Sequence, residues 1–254
     1  MSLLLRTLAE FHRRTLGWAV VAGIFTLGYV RIYSDFTVAI RKTPNMRHLV
    51  EVPTTSYLET TVYGLTPPLL VVLCAIGLGA RAVAGLEESG ELELLLAGPI
   101  DRRRLVLTRY AGFALSITVV GLIIWAAVQW FVFIGRLRID AADVAAACAG
   151  IVLLGLFFGS MSFAAGAFTG DRAIALMLAG SLATVAFSLR ALAGTAGEAR
   201  AMRWLSPLDH HLSGAGSHPL RPGSYELLMI ALTAALLAVA VHGFHKRDVG
   251  TEAA

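Results

Sequence analysis

Six long apolar runs divide this chain, at residues 16–32, 64–84, 110–135, 145–168, 173–192 and 224–244. About 20 consecutive apolar residues in a helix are enough to cross the hydrocarbon core of a bilayer. The surface left for water is small: 15% of residues are charged and 57% are hydrophobic, whereas a soluble domain carries about 25% charged residues. The runs predict an all-α, polytopic membrane protein with six transmembrane helices in a single transmembrane domain over residues 1–254. An even number of spans puts both termini on one side.

The runs differ in detail. The first is short and dotted with Gly17, Gly23 and Gly28, and Arg31 can snorkel at its far end. The second opens on Pro67 and Pro68, where missing amide donors cost least. The third carries Trp125 and Trp130 toward its outer end, as interfacial anchors would. The fourth holds Gly155 and Gly159, then Gly166 and Gly170, a spacing that lets helix backbones approach. Asp171 and Arg172 leave room for only a tight turn before the fifth run. Two polar loops, 33–63 and 193–223, lie on the side opposite the termini. Ahead of the first run, residues 3–14 place Leu4, Leu8 and Phe11 on one helical face, which suits a helix lying in the membrane interface. Tyr29, Val30 and Arg31 offer no small-residue cleavage site, so an uncleaved anchor is expected rather than a signal peptide.

Charge gives the topology only weakly. Eleven Lys and Arg lie on the side of the termini and ten on the other. The densest clusters, Arg13 with Arg14 and Arg102 with Arg103 and Arg104, favour the cytoplasm for both termini. Arg outnumbers Lys nineteen to two, but charge this sparse flanks apolar spans and carries no nucleic-acid signal.

Between the second and third runs, residues 81–109 pack five carboxylates and five arginines. Leu92, Leu95 and Leu96 fall at i, i+3 and i+4, with Glu87, Glu88, Glu91 and Glu93 beside them. Gly98 and Pro99 stop that helix, and Asp101 can cap the next. The pattern predicts a short amphipathic helix whose leucines seat in a partner's groove while its charged rim sets orientation. A helix that merely pads the bilayer fits the same spacing.

This stretch resembles the ABC-2 type transporter permeases, in which A-G-E-E-x-G-T-L-E-L-L-L-A-x-P links the second and third of six spans. Here it reads from Ala84 to Arg102, with Leu86 inserted before the paired acids and Glu91 where Thr is usual. The resemblance extends over essentially the whole chain, including the loop with Trp204, Ser206 and Pro207. It implies that 87–97 is a cytoplasmic coupling helix docking on a cytosolic ATPase, through Glu87, Glu88, Glu91, Leu92, Glu93, Leu95, Leu96, Pro99, Arg102 and Arg103. It also implies that Leu4, Leu8 and Phe11 belong to an interfacial elbow helix. A second copy, or a homologous permease, would complete the pathway in the cytoplasmic membrane. ATP and Mg would sit on the partner ATPase, with no cofactor on this chain.

Other classes fit less well. The only lysines, Lys42 and Lys246, lack the glycines of a P-loop, so energy from ATP must come from another polypeptide. His210, His211 and His218 share a loop with Asp209, but the ligand spacing of a metal site is missing and none is expected. Cys74 and Cys148 are read as small core residues. No Asp or Glu sits midspan, which argues against a gradient-driven transporter. An intramembrane serine protease would pair Ser160 or Ser162 with His242, at depths differing by about 9 Å or 6 Å. A non-transporting scaffold for an ATPase is the other alternative. The sparse charge favours a hydrophobic or amphipathic cargo, such as a drug, antibiotic or lipid, moved outward as in efflux.

Overall fold

A computed structural model describes residues 15–28, 31, 66–96, 101–135, 140–193 and 224–246. Their regular structure is helical: α1, Thr15–Gly28; α2, Thr66–Glu88; α3, Glu91–Leu96; α4, Arg102–Gly135; α5, Ala141–Thr169; α6, Arg172–Ala193; and α7, Ser224–Lys246. The segment holding Leu4, Leu8 and Phe11, the loop 33–63, the loop with Asp209, His210, His211 and His218, and Pro99 lie outside the described residues.

Each helix starts and stops where its local chemistry dictates. Pro67 and Pro68 occupy the first turn of α2. Asp101 opens α4: its carboxylate accepts the Arg103 N–H at 3.2 Å, and its carbonyl accepts the Leu105 N–H at 3.0 Å. Asp140 does the same for α5, accepting the Ala142 N–H at 3.0 Å. Gly170 ends α5 in the left-handed region, at φ 70°, and donates its N–H to the Gly166 carbonyl at 2.9 Å. Asp171 then caps α6 through the N–H groups of Ala173, at 2.6 Å, and Ile174, at 3.2 Å. Two residues thus suffice to reverse the chain, because an αL glycine and an Asp cap satisfy the exposed backbone groups.

Among the described residues five helices, α2, α4, α5, α6 and α7, are long and apolar enough to cross a membrane. The expected first span is represented by α1, which rises about 21 Å, short of a hydrocarbon core of about 30 Å; residues 29, 30 and 32 of that span are not among those described. Two boundaries move. α2 runs on to Glu88, past the expected end at 84, because nothing from Arg81 to Glu88 breaks a helix: the single Gly85 costs only about 1 kcal/mol. α4 begins at Arg102 rather than near 110, so the arginine cluster forms its first turn.

α5 is the hub of the bundle and packs on α2, α4, α6 and α7, most extensively on α2. α2, α5 and α7 run in one direction, with α4 and α6 opposed. The α2–α5 contact is made by backbone. A Cβ on Gly79 would strike the Gly159 carbonyl, and one on Gly159 would strike the Phe113 ring and the Ala75 carbonyl. One on Gly155 would meet Val71 at 2.7 Å and Ile117 at 3.3 Å. The spacing of Gly155 and Gly159 therefore serves packing inside the subunit. Around it Phe113 lies near-parallel to Phe163 at 6.4 Å, and Tyr110 meets Phe163 edge-on at 5.3 Å. Ser162 is fully buried and its hydroxyl faces two carbonyls, Ile76 at 3.0 Å and Ala175 at 3.3 Å, which ties α5 to both α2 and α6. Trp125, expected as an exposed anchor, is half-buried against the core, whereas Trp130 is 63% exposed.

The close approach makes a direct prediction. Gly79→Ala should lower the thermal midpoint of the detergent-purified chain by the equivalent of about 1–3 kcal/mol, the usual cost of overpacking. Gly180→Ala, where a Cβ meets nothing within 4 Å, should leave the midpoint unchanged or raised. Thermal unfolding followed by tryptophan fluorescence measures both, and equal midpoints would contradict a backbone-to-backbone contact at Gly79.

Candidate functional site

The polar groups collect at one end of the bundle. There α2 runs through a turn into α3, α4 begins, α5 turns into α6, and α7 ends. The α2–α3 turn is built from its own residues: the Ser89 hydroxyl donates to the Leu86 carbonyl at 3.1 Å, the Gly90 N–H donates to the Glu87 carbonyl at 3.0 Å, and Gly90 adopts φ 72°. A left-handed residue is what lets one helix stop and another start at a new angle after two residues.

The turn separates the acids that the sequence pattern placed on one helix. Glu87 and Glu88 end α2; Glu91 starts α3. Glu88 and Glu91 are exposed and Glu87 is half-buried and engaged. Glu88 reaches Arg172 of α6 at 4.0 Å, an ion pair across the α5–α6 turn. Both side chains are a third to a half exposed, so the pair contributes at most about 1 kcal/mol. It matters more as a marker that the tip of α2 and the start of α6 share one surface.

Of the leucines expected to seat in a partner, Leu92 is buried within the chain itself. Leu92 has no exposed surface and joins the same buried cluster as Leu86, Leu105 and Phe244, with Leu95 half-buried against it. The physical reason is proximity: once α2 ends at Glu88, the next apolar side chain on the chain lies over the bundle's own open end. Leu92, with Leu95 against the same cluster, thus fastens the short helix to its own subunit, leaving Glu88 and Glu91 outward. Glu93 and Leu96 lie on α3, but their side chains are outside the described residues. Arg102 is half-buried and engaged, and Arg103 is exposed.

Arg109, the last arginine of the polar stretch 81–109, is 5% exposed inside the bundle. The signal was present in the sequence: Leu105, Arg109 and Phe113 recur every four residues, and all three are buried on α4. Next to it the Tyr110 and Ser160 hydroxyls form a 2.9 Å hydrogen bond between α4 and α5. No periodicity pairs two hydroxyls fifty residues apart, so sequence reasoning missed it. This bond and those of Ser162 occupy both serines of the protease alternative, while His242 stands exposed on α7. The hydroxyls act as ties between helices. Among the described residues no group of three or more His, Cys, Asp or Glu could hold a metal.

Residues 2–249 match the family described as ABC-2 family transporter protein. Comparison with curated proteins gives no match. The chain belongs to the ABC-2 family: it is a multi-pass membrane permease subunit of an ABC transporter, a transport component that works with an ATPase partner.

The inward role of Leu92 is testable on the subunit alone. Leu92→Ala should lower the thermal midpoint of the purified chain by the equivalent of about 2–5 kcal/mol, as for other buried leucines. Glu91→Ala, at an exposed neighbouring position, should shift it by less than about 0.5 kcal/mol. A silent Leu92→Ala would mean that this leucine faces outward.

Proposed function

We propose that this ABC-2 permease subunit forms half of an export pathway in the cytoplasmic membrane and takes its energy from a cytosolic ATPase docked at the α2–α3 turn. The observation that carries the reading is the division of labour across that turn. Glu88 and Glu91 face outward while Leu92, one residue further on, is locked in the core. A partner bound to the acids is therefore in mechanical contact with α2, and through the Gly79–Gly159 approach with α5.

In this reading α1 is the cytoplasm-facing start of a sixth span, the segment 3–14 is the elbow helix, and both termini are cytoplasmic. The segment from Glu87 through α3 is the coupling element, with Glu87, Glu88 and Glu91 as the docking acids and Arg102 at the rim. Leu92 and Leu95 act one step behind, holding the element on the bundle. ATP and Mg bind the partner; closure of two ATPases pushes two coupling elements and opens the pathway outward. One subunit supplies half of such a pathway, so a second copy or a homologous permease completes it. The cargo is hydrophobic or amphipathic, a drug, antibiotic or lipid, because the spans offer no midspan carboxylate to a cation. A non-transporting scaffold would dock the same ATPase without coupling its turnover to cargo.

Charge reversal tests the docking surface. With its partner ATPase, the Glu87→Lys, Glu88→Lys, Glu91→Lys triple variant should lose co-purification by tenfold or more and lose ATPase stimulation by cargo. Its span packing should be intact, as read by a thermal midpoint lowered by no more than the equivalent of about 1–2 kcal/mol. Binding and stimulation at the wild-type level would remove the coupling assignment; binding without cargo-dependent stimulation in the wild type would favour the scaffold.

A further inference from the structure

The longest helix carries a feature that the coupling reading does not use. α4 has 34 residues, about 51 Å, well beyond a hydrocarbon core of about 30 Å. One stripe of it is exposed along its length: Arg104, Leu107 at 39%, Leu115 at 48%, Leu122 at 57% and Trp130 at 63%. Thr118 lies on the same stripe and is satisfied within the helix, donating to the Ala114 carbonyl at 2.9 Å. The stripe asks nothing polar of its surroundings until its ends. From Arg104 to Trp130 the helix climbs about 39 Å, close to the 40–45 Å between the two headgroup layers. An arginine at one end and a tryptophan at the other are the side chains that settle at those layers.

The arginine end holds surplus positive charge. Arg103 and Arg104 are exposed, and among the described residues neither has a carboxylate partner. Of the nearby acids, Asp101 caps α4, Asp171 caps α6 and Glu88 pairs with Arg172. Glu91 is exposed at the start of α3, across the turn. The Thr108 hydroxyl is satisfied within the helix, donating to the Arg104 carbonyl at 2.7 Å.

We infer that Arg103 and Arg104, at the head of the Leu107–Leu115–Leu122 stripe, form a binding site for an anionic phospholipid. Its phosphate is drawn by Arg104 at the stripe's end with Arg103 beside it, and its acyl chain lies along the leucines. Arginine suits this role because its planar fork matches phosphate oxygens bidentately. Assigning the site to the inner leaflet rests on the topology proposed above; the binding itself does not. The inference removes Arg103 from the ATPase-docking set and makes α4 a lipid-facing wall.

Native mass spectrometry of the full purified chain, without ATPase, tests this with phosphatidylglycerol and phosphatidylcholine of identical acyl chains in equal amounts. The wild type should retain phosphatidylglycerol in preference by on the order of tenfold, given two basic side chains at the headgroup. Arg103→Gln/Arg104→Gln should bring the preference to parity, Arg104→Gln alone should reduce it by about threefold, and Arg103→Lys/Arg104→Lys should preserve most of it. No preference in the wild type, or an undiminished one in both Gln variants, overturns the inference. So does a double Gln variant that keeps its lipid preference yet no longer co-purifies with the ATPase, which would assign the arginines to the protein partner. Because the lipid measurement contains no ATPase, its failure leaves the docking acids untouched, and failure of the docking test leaves the lipid site standing.

Discussion

Everything in this subunit depends on two helix backbones touching. α2 and α5 approach so closely at Gly79 and Gly159 that neither position has room for a single methyl group. In a bilayer, burial of leucine against leucine gains little over burial against lipid tails, so contact distance and hydrogen bonding decide which helices associate. The glycines provide the distance. Ser162, donating toward the Ile76 and Ala175 carbonyls, and the Tyr110–Ser160 pair provide the directional bonds. α5 consequently acts as an axle to which α2, α4, α6 and α7 are fixed.

That arrangement gives the polar end its meaning. A turn such as Ser89–Gly90 on a loosely held helix would absorb any push locally. Here the residues on either side of it, Leu86 and Leu92, are both buried in one apolar cluster. The turn can change direction freely at Gly90, which needs its positive φ, yet it cannot slide away from the bundle. The acids at 87, 88 and 91 are therefore carried on a short lever with a fixed base. The opposite organisation holds on α6, where Met177, Leu178 and Val185 are more than half exposed. Such a face in a membrane protein belongs against lipid or another subunit.

Much of this was legible in the sequence, for identifiable reasons. Span length and apolar content are properties of a single segment, so five of the expected spans reappear as helices with ends shifted by up to eight residues. The Asp101 cap and the Gly170–Asp171 reversal are local chemistry and were foreseeable from Gly and Asp at the right offsets. What escaped was relational. The leucines of α3 showed a clear stripe, but a stripe does not say whether it meets a partner or its own bundle; the length of α2 decides that, and α2 ran one turn further than its apolar composition indicated. Arg109 counted as a hairpin charge because charge was weighed before periodicity. Trp125 was assigned to the interface by residue type, whereas its side of α4 turned it inward.

The central claim is that the acids flanking the α2–α3 turn touch the ATPase. Site-specific cross-linking measures this directly, and the background is favourable because Cys74 and Cys148 are both buried. Single cysteines at Glu88, Glu91 and, as a membrane-facing comparison, Leu122 would be treated with a short thiol–amine cross-linker in membranes containing the ATPase. The account predicts adducts with the ATPase from positions 88 and 91, strengthened by ATP, and none from 122. Absence of adducts at 88 and 91 from a complex that still hydrolyses ATP would contradict it.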